Sequence, residues 1–361
     1  EEIPEIKTAK MPERFIPGSV ATEGLVAYSV ISKFNDALPF YRQAKIFSRF
    51  GVDLSRATLC NWSLLAAKKC TTLLEVLEET ILSGEVIRMD ETTVQVLHEE
   101  GRKAENKSYM WVAYGYGNNE KPLLLYQYHP TRSSDVPKEF LKKYSGFVQT
   151  DGYKGYNFTN ASYKGSIIHV GCLAHVRREF EKIYKANRKS KCAHTALKYI
   201  RNIYRIESTL RERNLASNEF VTTRKEQMKE SLETFHNWLG EQKNIILPAS
   251  PSGKAISYIL GEWKKIICFL DHHLLTPDNN KIENAIRPFV IGRKNWLFSN
   301  TPRGARSSAC FYSLIESAKA NKLVPYYYLR YVFEKLPGCS TKEELRKLLP
   351  DMLSPEMIKI S

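Results

Sequence analysis

A chain of 361 residues is long enough for two or three domains and a large buried core. Hydrophobic residues make up 43% of it, and no apolar run approaches the roughly 18–20 residues that span a bilayer, so no membrane partner is expected. The net charge of +15 is concentrated: residues 281–330 carry nine Lys/Arg against two Glu, and residues 173–191 carry seven against two. Charge gathered in this way points to a polyanion, above all nucleic acid. Seven cysteines are scattered without a C-x-x-C pair, which argues against a disulfide scaffold or a zinc ribbon and fits a reducing cytoplasm. The first residues lack the basic-then-apolar pattern of a signal peptide. They also lack an initiator Met, so a piece of a longer chain is expected.

Residues 1–20, polar with three prolines, read as an extended lead-in. Residues 21–82 read as helical. Within them Gly51 can stop one helix and Ser55 can cap the next, with Ala57, Leu59, Trp62 and Leu65 as its buried stripe. Two helices joined by such a turn match a helix-turn-helix, with Arg56, Thr58, Asn61 and Ser63 as candidate groove-facing residues. A plain two-helix corner fits the same pattern.

At residue 83 the periodicity changes. EVIRMDETTVQVL, KSYMWVAYGYG and PLLLYQYH are three β-rich runs separated by polar turns. SSDVPKEFLKKY reads as a capped helix, GFVQTDGY and SIIHVG as two more strands, and LAHVRREFEKIYKANRK as the helix after them. This order predicts an α/β fold, a mixed sheet flanked by helices, with residues 83–187 as the first part of a core. Residues 188–270 show only amphipathic helical pattern and read as an all-helical insertion. Residues 271–323 return to the core, and residues 324–361 form a C-terminal helical element whose STKEEL opens with a capping signal.

Three carboxylates stand out. Asp90 is expected to end the strand Val86-Ile87-Arg88-Met89-Asp90, and Asp151 the strand Phe147-Val148-Gln149-Thr150-Asp151. Carboxylates at neighbouring strand ends are held rigidly and can share two divalent cations, which would bridge a scissile phosphate. Acidic residues at strand ends also cap ordinary turns. Glu283, in DNNKIENAIRP, lies beside the helical stripe of Ile282, Ala285, Ile286 and Phe289, on a face with Asn280 and Arg287. It can point into such a site, or simply pair with Arg287.

The strings RMDETTVQVL, QTDGYKGYN, GCLAHVRREF, DNNKIENAIRP, IGRKNWLFSNTPRGA and YSLIESAKAN resemble the transposases of the insertion-sequence 66 family, over about residues 15–350. The resemblance implies a DDE triad on Asp90, Asp151 and Glu283, separated here by 61 and 132 residues. It also implies a ribonuclease-H-like fold and Mg²⁺ or Mn²⁺, two ions being expected. The implied activity is metal-dependent cleavage at element ends and joining of the 3′-hydroxyl to target DNA. The implied setting is a bacterial, nucleoid-associated protein that works as a homo-oligomer on double-stranded DNA, with accessory proteins of the same element as further candidate partners. Two features depart from the family: the N-terminal C-x-x-C region is missing, and KLLPDMLSPE only loosely echoes the family's short terminal element.

Smaller motifs keep two readings each. Cys172-Leu-Ala-His175 has the spacing of half a zinc site but no second pair, which favours a structural or DNA-proximal His175. Arg177 and Arg178 face either phosphate or solvent. Arg293, Lys294 and Trp296 suit backbone contact and base stacking, or a core tryptophan beside surface cations. Arg287 and Arg303 join the candidate DNA contacts. The β-rich core argues against a tyrosine recombinase. The competing functions are a nuclease of the same fold that cuts without joining, and a DNA-binding protein that no longer catalyses.

Overall fold

The computed structural model describes residues 14–156 and 167–359, the side chain of Lys154 excepted. The expected lead-in over 1–13 therefore lies outside the described residues. Its continuation is not an extended arm: Phe15 and Ile16 are buried, and the Phe15 ring stacks on Phe333 with centroids 4.3 Å apart. Two adjacent apolar side chains find a helix face here despite the flanking prolines.

Five strands form one sheet in the order β3-β2-β1-β4-β5, and fourteen α-helices lie among the described residues. Strands β1 (Val86–Gln95), β2 (Lys107–Tyr116) and β3 (Pro122–His129) form an antiparallel meander. Strands β4 (Gly146–Gln149) and β5 (Ile167–Val170) run parallel to β1. The connections explain this. A short turn suffices between antiparallel neighbours, whereas the chain must cross over to set β4 parallel to β1. It does so through α5 (Asp135–Phe140).

The N-terminal helices are α1 (Glu23–Phe34), α2 (Phe40–Arg49), α3 (Arg56–Lys69) and α4 (Thr71–Leu82). Gly51, at φ +75°, takes the left-handed conformation that closes α2, and Ser55 caps α3 by accepting the Thr58 N–H at 3.0 Å. Arg56 and Asn61 are exposed on α3. Ser63 is not: it is buried, with its hydroxyl 3.1 Å from that of Ser307, so it cannot face a groove. Ala57, expected in the buried stripe, is exposed, because Leu59, Trp62 and Ala66 already complete the face turned inward.

Beyond β5 come α6 (Leu173–Ala186), α7 (Lys191–Arg211), α8 (Ser217–Ile245) and α9 (Pro251–Ile267). Phe180, Ile200, Phe235 and Ile259 pack there into a cluster that also takes in Val86, Tyr116 and Val170 of the sheet. The other core cluster contains Ile87, Met89, Phe15 and the apolar faces of α1, α3, α10 (Asn280–Trp296), α11 (Pro302–Ala320) and α12 (Pro325–Lys335).

Edge strand β3 is closed by α11. Ser317 and Ser313 accept the Leu124 and Tyr126 backbone N–H groups at 2.8 Å each, and Ser317 donates to Leu124 O at 3.1 Å. Two serine hydroxyls thus replace the missing sixth strand and remove an edge that would otherwise pair with another chain. At the C-terminus the expected capping box forms on Thr341 and Glu344. All seven cysteines are free. No helix among the described residues is long and apolar enough to cross a membrane.

Candidate active site at the ends of the parallel strands

Asp90 does not end its strand, as the apolar run Val86–Met89 had suggested. The antiparallel pairing of β1 with β2 continues from Arg88↔Tyr114 to Gln95↔Lys107, whereas the parallel pairing with β4 stops at Arg88↔Gln149. Asp90 therefore sits at mid-strand, just past the point where its other neighbour has ended. Asp151 follows β4 by two residues, and Glu283 lies in the first turn of α10. The gap beside β1 is a place at the carboxyl ends of parallel strands, where open α/β sheets place ligands.

The segments that carry the three carboxylates are tied together by buried polar groups. Arg88, two residues before Asp90, is completely buried. Its Nε donates to Gln149 Oε1 at 3.0 Å, Nη1 to Tyr116 Oη at 2.9 Å and Nη2 to Leu274 O at 2.6 Å. Gln149 Nε2 donates to Thr276 O at 2.7 Å, and Asn279 Nδ2 to Met89 O at 3.3 Å. The strand before Asp151 and the turn leading to Glu283 are thus both registered against β1. Such groups remain buried only when their donors are satisfied.

The carboxylates act on one another. Burial, followed by the negative charges of Asp151 and Glu91 and finally Glu283, pushes the Asp90 carboxyl up to about 7. Asp90 Oδ1 accepts the Glu91 N–H at 2.8 Å, and Asp151 Oδ1 accepts the Tyr153 N–H at 2.9 Å. Glu283 does not join them freely. Both its oxygens accept from Arg178 Nη2, at 2.5 Å for Oε1, and this pairing holds the guanidinium above its ordinary range. His175, one turn before Arg178 on α6, has Nε2 3.2 Å from Arg178 Nη1. Burial and the Arg178 charge keep His175 below the usual histidine value, against the pull of Asp151 and Glu283.

On the opposite flank stands Glu91, whose burial raises its carboxyl. Glu91 Oε1 accepts from Arg132 Nε at 2.5 Å and Oε2 from Tyr156 Oη at 2.9 Å. Neither Arg132 nor the role of Glu91 carries a signal in the sequence beyond the adjacency of Glu91 to Asp90. Arg132 sits in a Pro-Thr-Arg loop with no periodicity to mark it.

The remaining candidates divide. Arg177, Arg178, Arg287, Lys294 and Arg303 are exposed, although Arg177 pairs with Glu181 at 2.9 Å. Arg293 is partly buried and turned inward, its Nη1 donating to Thr93 O and, at 2.9 Å, to Thr93 Oγ1, where it staples α10 to β1. Trp296 packs edge-on against Phe34 at 6.1 Å and carries Lys33 over its ring. Cys172 is buried with its thiol pushed up to about 11, and its sulfur takes the Asn279 N–H at 3.2 Å, which makes it a packing residue. A cavity of about 430 Å³ beside β3, lined by Lys68, Glu78, Tyr128, Arg303 and Arg306 among others, touches none of the three carboxylates.

Among the described residues no three His, Cys, Asp or Glu side chains are already gathered into a coordination set. The donor chemistry nevertheless fits a hard divalent cation. Asp90, Asp151 and Glu283 offer only carboxylate oxygens, and their mutual repulsion at Asp90 is of the kind a cation relieves. Glu283 would have to exchange the Arg178 guanidinium for it.

Residues 18–307 match the family described as Transposase IS66 family, and residues 313–350 match the IS66 C-terminal element. Three relatives come from Sinorhizobium fredii (strain NBRC 101917 / NGR234). The uncharacterized protein y4qI is 29% identical over 97% of this chain and 66% of its own length. The uncharacterized protein y4jD is 31% identical over 96% of this chain and 68% of its own. A third, y4hP, is 24% identical over 92% and 62%. The chain thus spans about two thirds of the length of the relatives it matches.

Proposed function

Because the chain belongs to the transposase IS66 family, we propose that it cuts DNA at the ends of a mobile element and joins the freed 3′-hydroxyl to target DNA. Asp90, Asp151 and Glu283 are its catalytic carboxylates. The observation that carries the reading is the place of Asp90, half-buried just beyond the point where β4 ends and the sheet opens, with its carboxyl pushed up to about 7 by desolvation and by the neighbouring acids. A sheet of order β3-β2-β1-β4-β5, antiparallel in its first three strands and parallel in its last two, supports a ribonuclease-H-like core.

Asp90, Asp151 and Glu283 would hold Mg²⁺ or Mn²⁺. Bound there, the metal would lower the pKa of the attacking hydroxyl and stabilise the leaving oxygen. The chain's own groups do the positioning. Arg88 and Gln149 fix the three carboxylate-bearing segments. Arg178, exposed at the rim, can exchange Glu283 for a phosphate oxygen, since a guanidinium fork suits either partner. Burial and the Arg178 charge favour the neutral form of His175 beside it. The exposed Arg177, Arg287, Lys294 and Arg303, with Arg56 and Asn61 on α3, supply phosphate and groove contacts for double-stranded DNA. Acting on two ends of one element calls for a homo-oligomer on DNA.

The test is cleavage and joining of a labelled duplex carrying the element's own ends, with Mn²⁺, for wild type and Asp90→Asn. Loss of both products in the variant, with DNA affinity retained, supports the reading. Cutting without joining by the wild type would identify a nuclease instead, and an Asp90→Asn protein that cuts at the wild-type rate would remove the carboxylate mechanism.

A further inference from the structure

The geometry points to a second arginine, Arg132, as a preorganised binding site for a DNA backbone phosphate on the flank of the carboxylates opposite Arg178, a proposal that rests on the reading of those carboxylates as a DNA-cleaving site.

Three consecutive carbonyls of the loop after β3 are each held by a side chain from a different part of the molecule. Arg102 Nη1 donates to Pro130 O, Trp111 Nε1 to Thr131 O at 3.3 Å, and Tyr153 Oη to Arg132 O at 2.6 Å. The Arg132 guanidinium is fixed as well. It engages Glu91 through Nε and Nη2, both at 2.5 Å from Oε1, and lies over the Tyr153 ring at 3.8 Å from the centroid. Tyr153 also donates its N–H to Asp151 Oδ1 at 2.9 Å, so a single residue registers Arg132 against a carboxylate of the site.

If Arg132 served only to neutralise Glu91, the pair would be expected to bury together. Instead the Glu91 side chain is 1% exposed and that of Arg132 is 41% exposed. Among the described residues Nη1 of Arg132 has no hydrogen-bond partner, which leaves two N–H donors of the fork directed away from Glu91. An arginine whose rotamer is set by an ion pair, a ring and a strapped backbone loses little freedom on binding an anion, which is what a phosphate-positioning residue needs. The buried Glu91 and the Tyr156 hydroxyl behind it fix the orientation of the fork.

The experiment measures affinity of the full chain for a 40-bp duplex of arbitrary sequence, by fluorescence anisotropy in EDTA at several KCl concentrations. Arg132→Gln strands the buried Glu91 carboxylate, so the double variant Glu91→Gln/Arg132→Gln is used. It removes both charges and leaves the net charge of the protein unchanged. The expected result is about 10-fold weaker binding with the salt slope smaller by about 0.9, the value of one phosphate contact. Arg132→Lys should recover the slope. Tyr153→Phe, which alters no charge but frees the Arg132 carbonyl, should keep the slope and weaken binding about 2- to 3-fold. A folded double variant with wild-type affinity and slope overturns the proposal while leaving the transposase reading intact. If circular dichroism shows that the double variant does not fold, Tyr153→Phe decides, and unchanged affinity there overturns the proposal. A wild type that fails to bind the duplex at all overturns the functional reading, and the proposal with it.

Discussion

Two arginine–glutamate pairs flank Asp90, and they differ in how firmly they are held. Glu91–Arg132 joins a carboxylate that is out of solvent to a loop tied at three successive carbonyls. Glu283–Arg178 joins side chains that are 28% and 44% exposed, with His175 as the further neighbour of Arg178. The same chemical pair is a brace in one place and a releasable contact in the other. Breaking a buried pair leaves an uncompensated charge, whereas an exposed pair contributes little. Glu283 is therefore free to change partner, and Glu91 is not.

The largest effect that tests this contrast is on catalysis. If Glu283 holds the cation as proposed, Glu283→Gln should lower cleavage by about 1000-fold or more through loss of its charge, with a melting temperature close to that of the wild type. Glu91→Gln should show a different pattern, with cleavage still measurable, because the Glu91 side chain is taken up by Arg132 and Tyr156. Gel assays and thermal melts on both proteins settle the assignment, and equal cleavage by the two variants would break it.

Stability comparisons between the pairs are best made above pH 7, because a histidine beneath the Asp151 segment titrates below it. His169 is buried, with Nε2 2.8 Å from the Thr150 hydroxyl; burial first, and then Lys265 on α9, pushes its pKa down to about 4. The folded protein keeps His169 neutral where the unfolded chain, with a pKa of about 6.5, protonates it. The unfolded state therefore binds more protons between about pH 6.5 and 4, and stability falls as pH drops through that window, by on the order of 3 kcal/mol for this residue. The difference between wild type and His169→Gln across this range, from denaturant melts, should recover that loss. A flat difference would show that His169 is not held neutral.

Next in size is the stability difference between the two flanks. Arg132→Ala should destabilise by about 2 kcal/mol, less than a fully buried pair because the guanidinium is partly in water. Arg178→Ala should change stability by no more than about 0.5 kcal/mol. Urea melts at pH 8 would reverse the interpretation if the two values exchanged.

The smallest effect concerns cation affinity. Arg178→Ala removes the competitor for Glu283 and should tighten Mn²⁺ binding a few-fold, about 1 kcal/mol at most, whereas Arg132→Ala should not. Electron paramagnetic resonance titration of free Mn²⁺ reads this without any turnover. Weaker binding in Arg178→Ala would mean that Arg178 orients Glu283 for the metal and does not compete with it.

Much of the fold could be read along the chain, and the reasons are local. The β-rich runs around Asp90, the caps at Ser55 and Thr341, and the purely helical pattern of residues 188–270 are written in spacing over a few residues. The errors arose where packing overrode such patterns. Phe15 and Ile16 left the extended lead-in for a helix face, and Ser63 turned towards Ser307 rather than a groove. Arg293, whose basic and aromatic neighbours suggest a DNA contact, is half-buried and directs Nη1 to Thr93, a contact that no local pattern announces.

By itself the sequence determined the composition of the candidate site, three acidic residues in three recognisable strings within a basic chain, and the type of nearly every element around them. Only the tertiary structure decided their setting: that Asp90 lies at mid-strand where β4 ends, that Arg88 ties the three segments together, and which arginine faces which acid. Arg132 and Glu91 are 41 residues apart in the chain, and Arg178 and Glu283 are 105 apart. Helix and strand periodicity act over a handful of residues. Pairing across such separations is fixed by which surfaces the hydrophobic core brings together, and by which charges can no longer be solvated by water once it has formed.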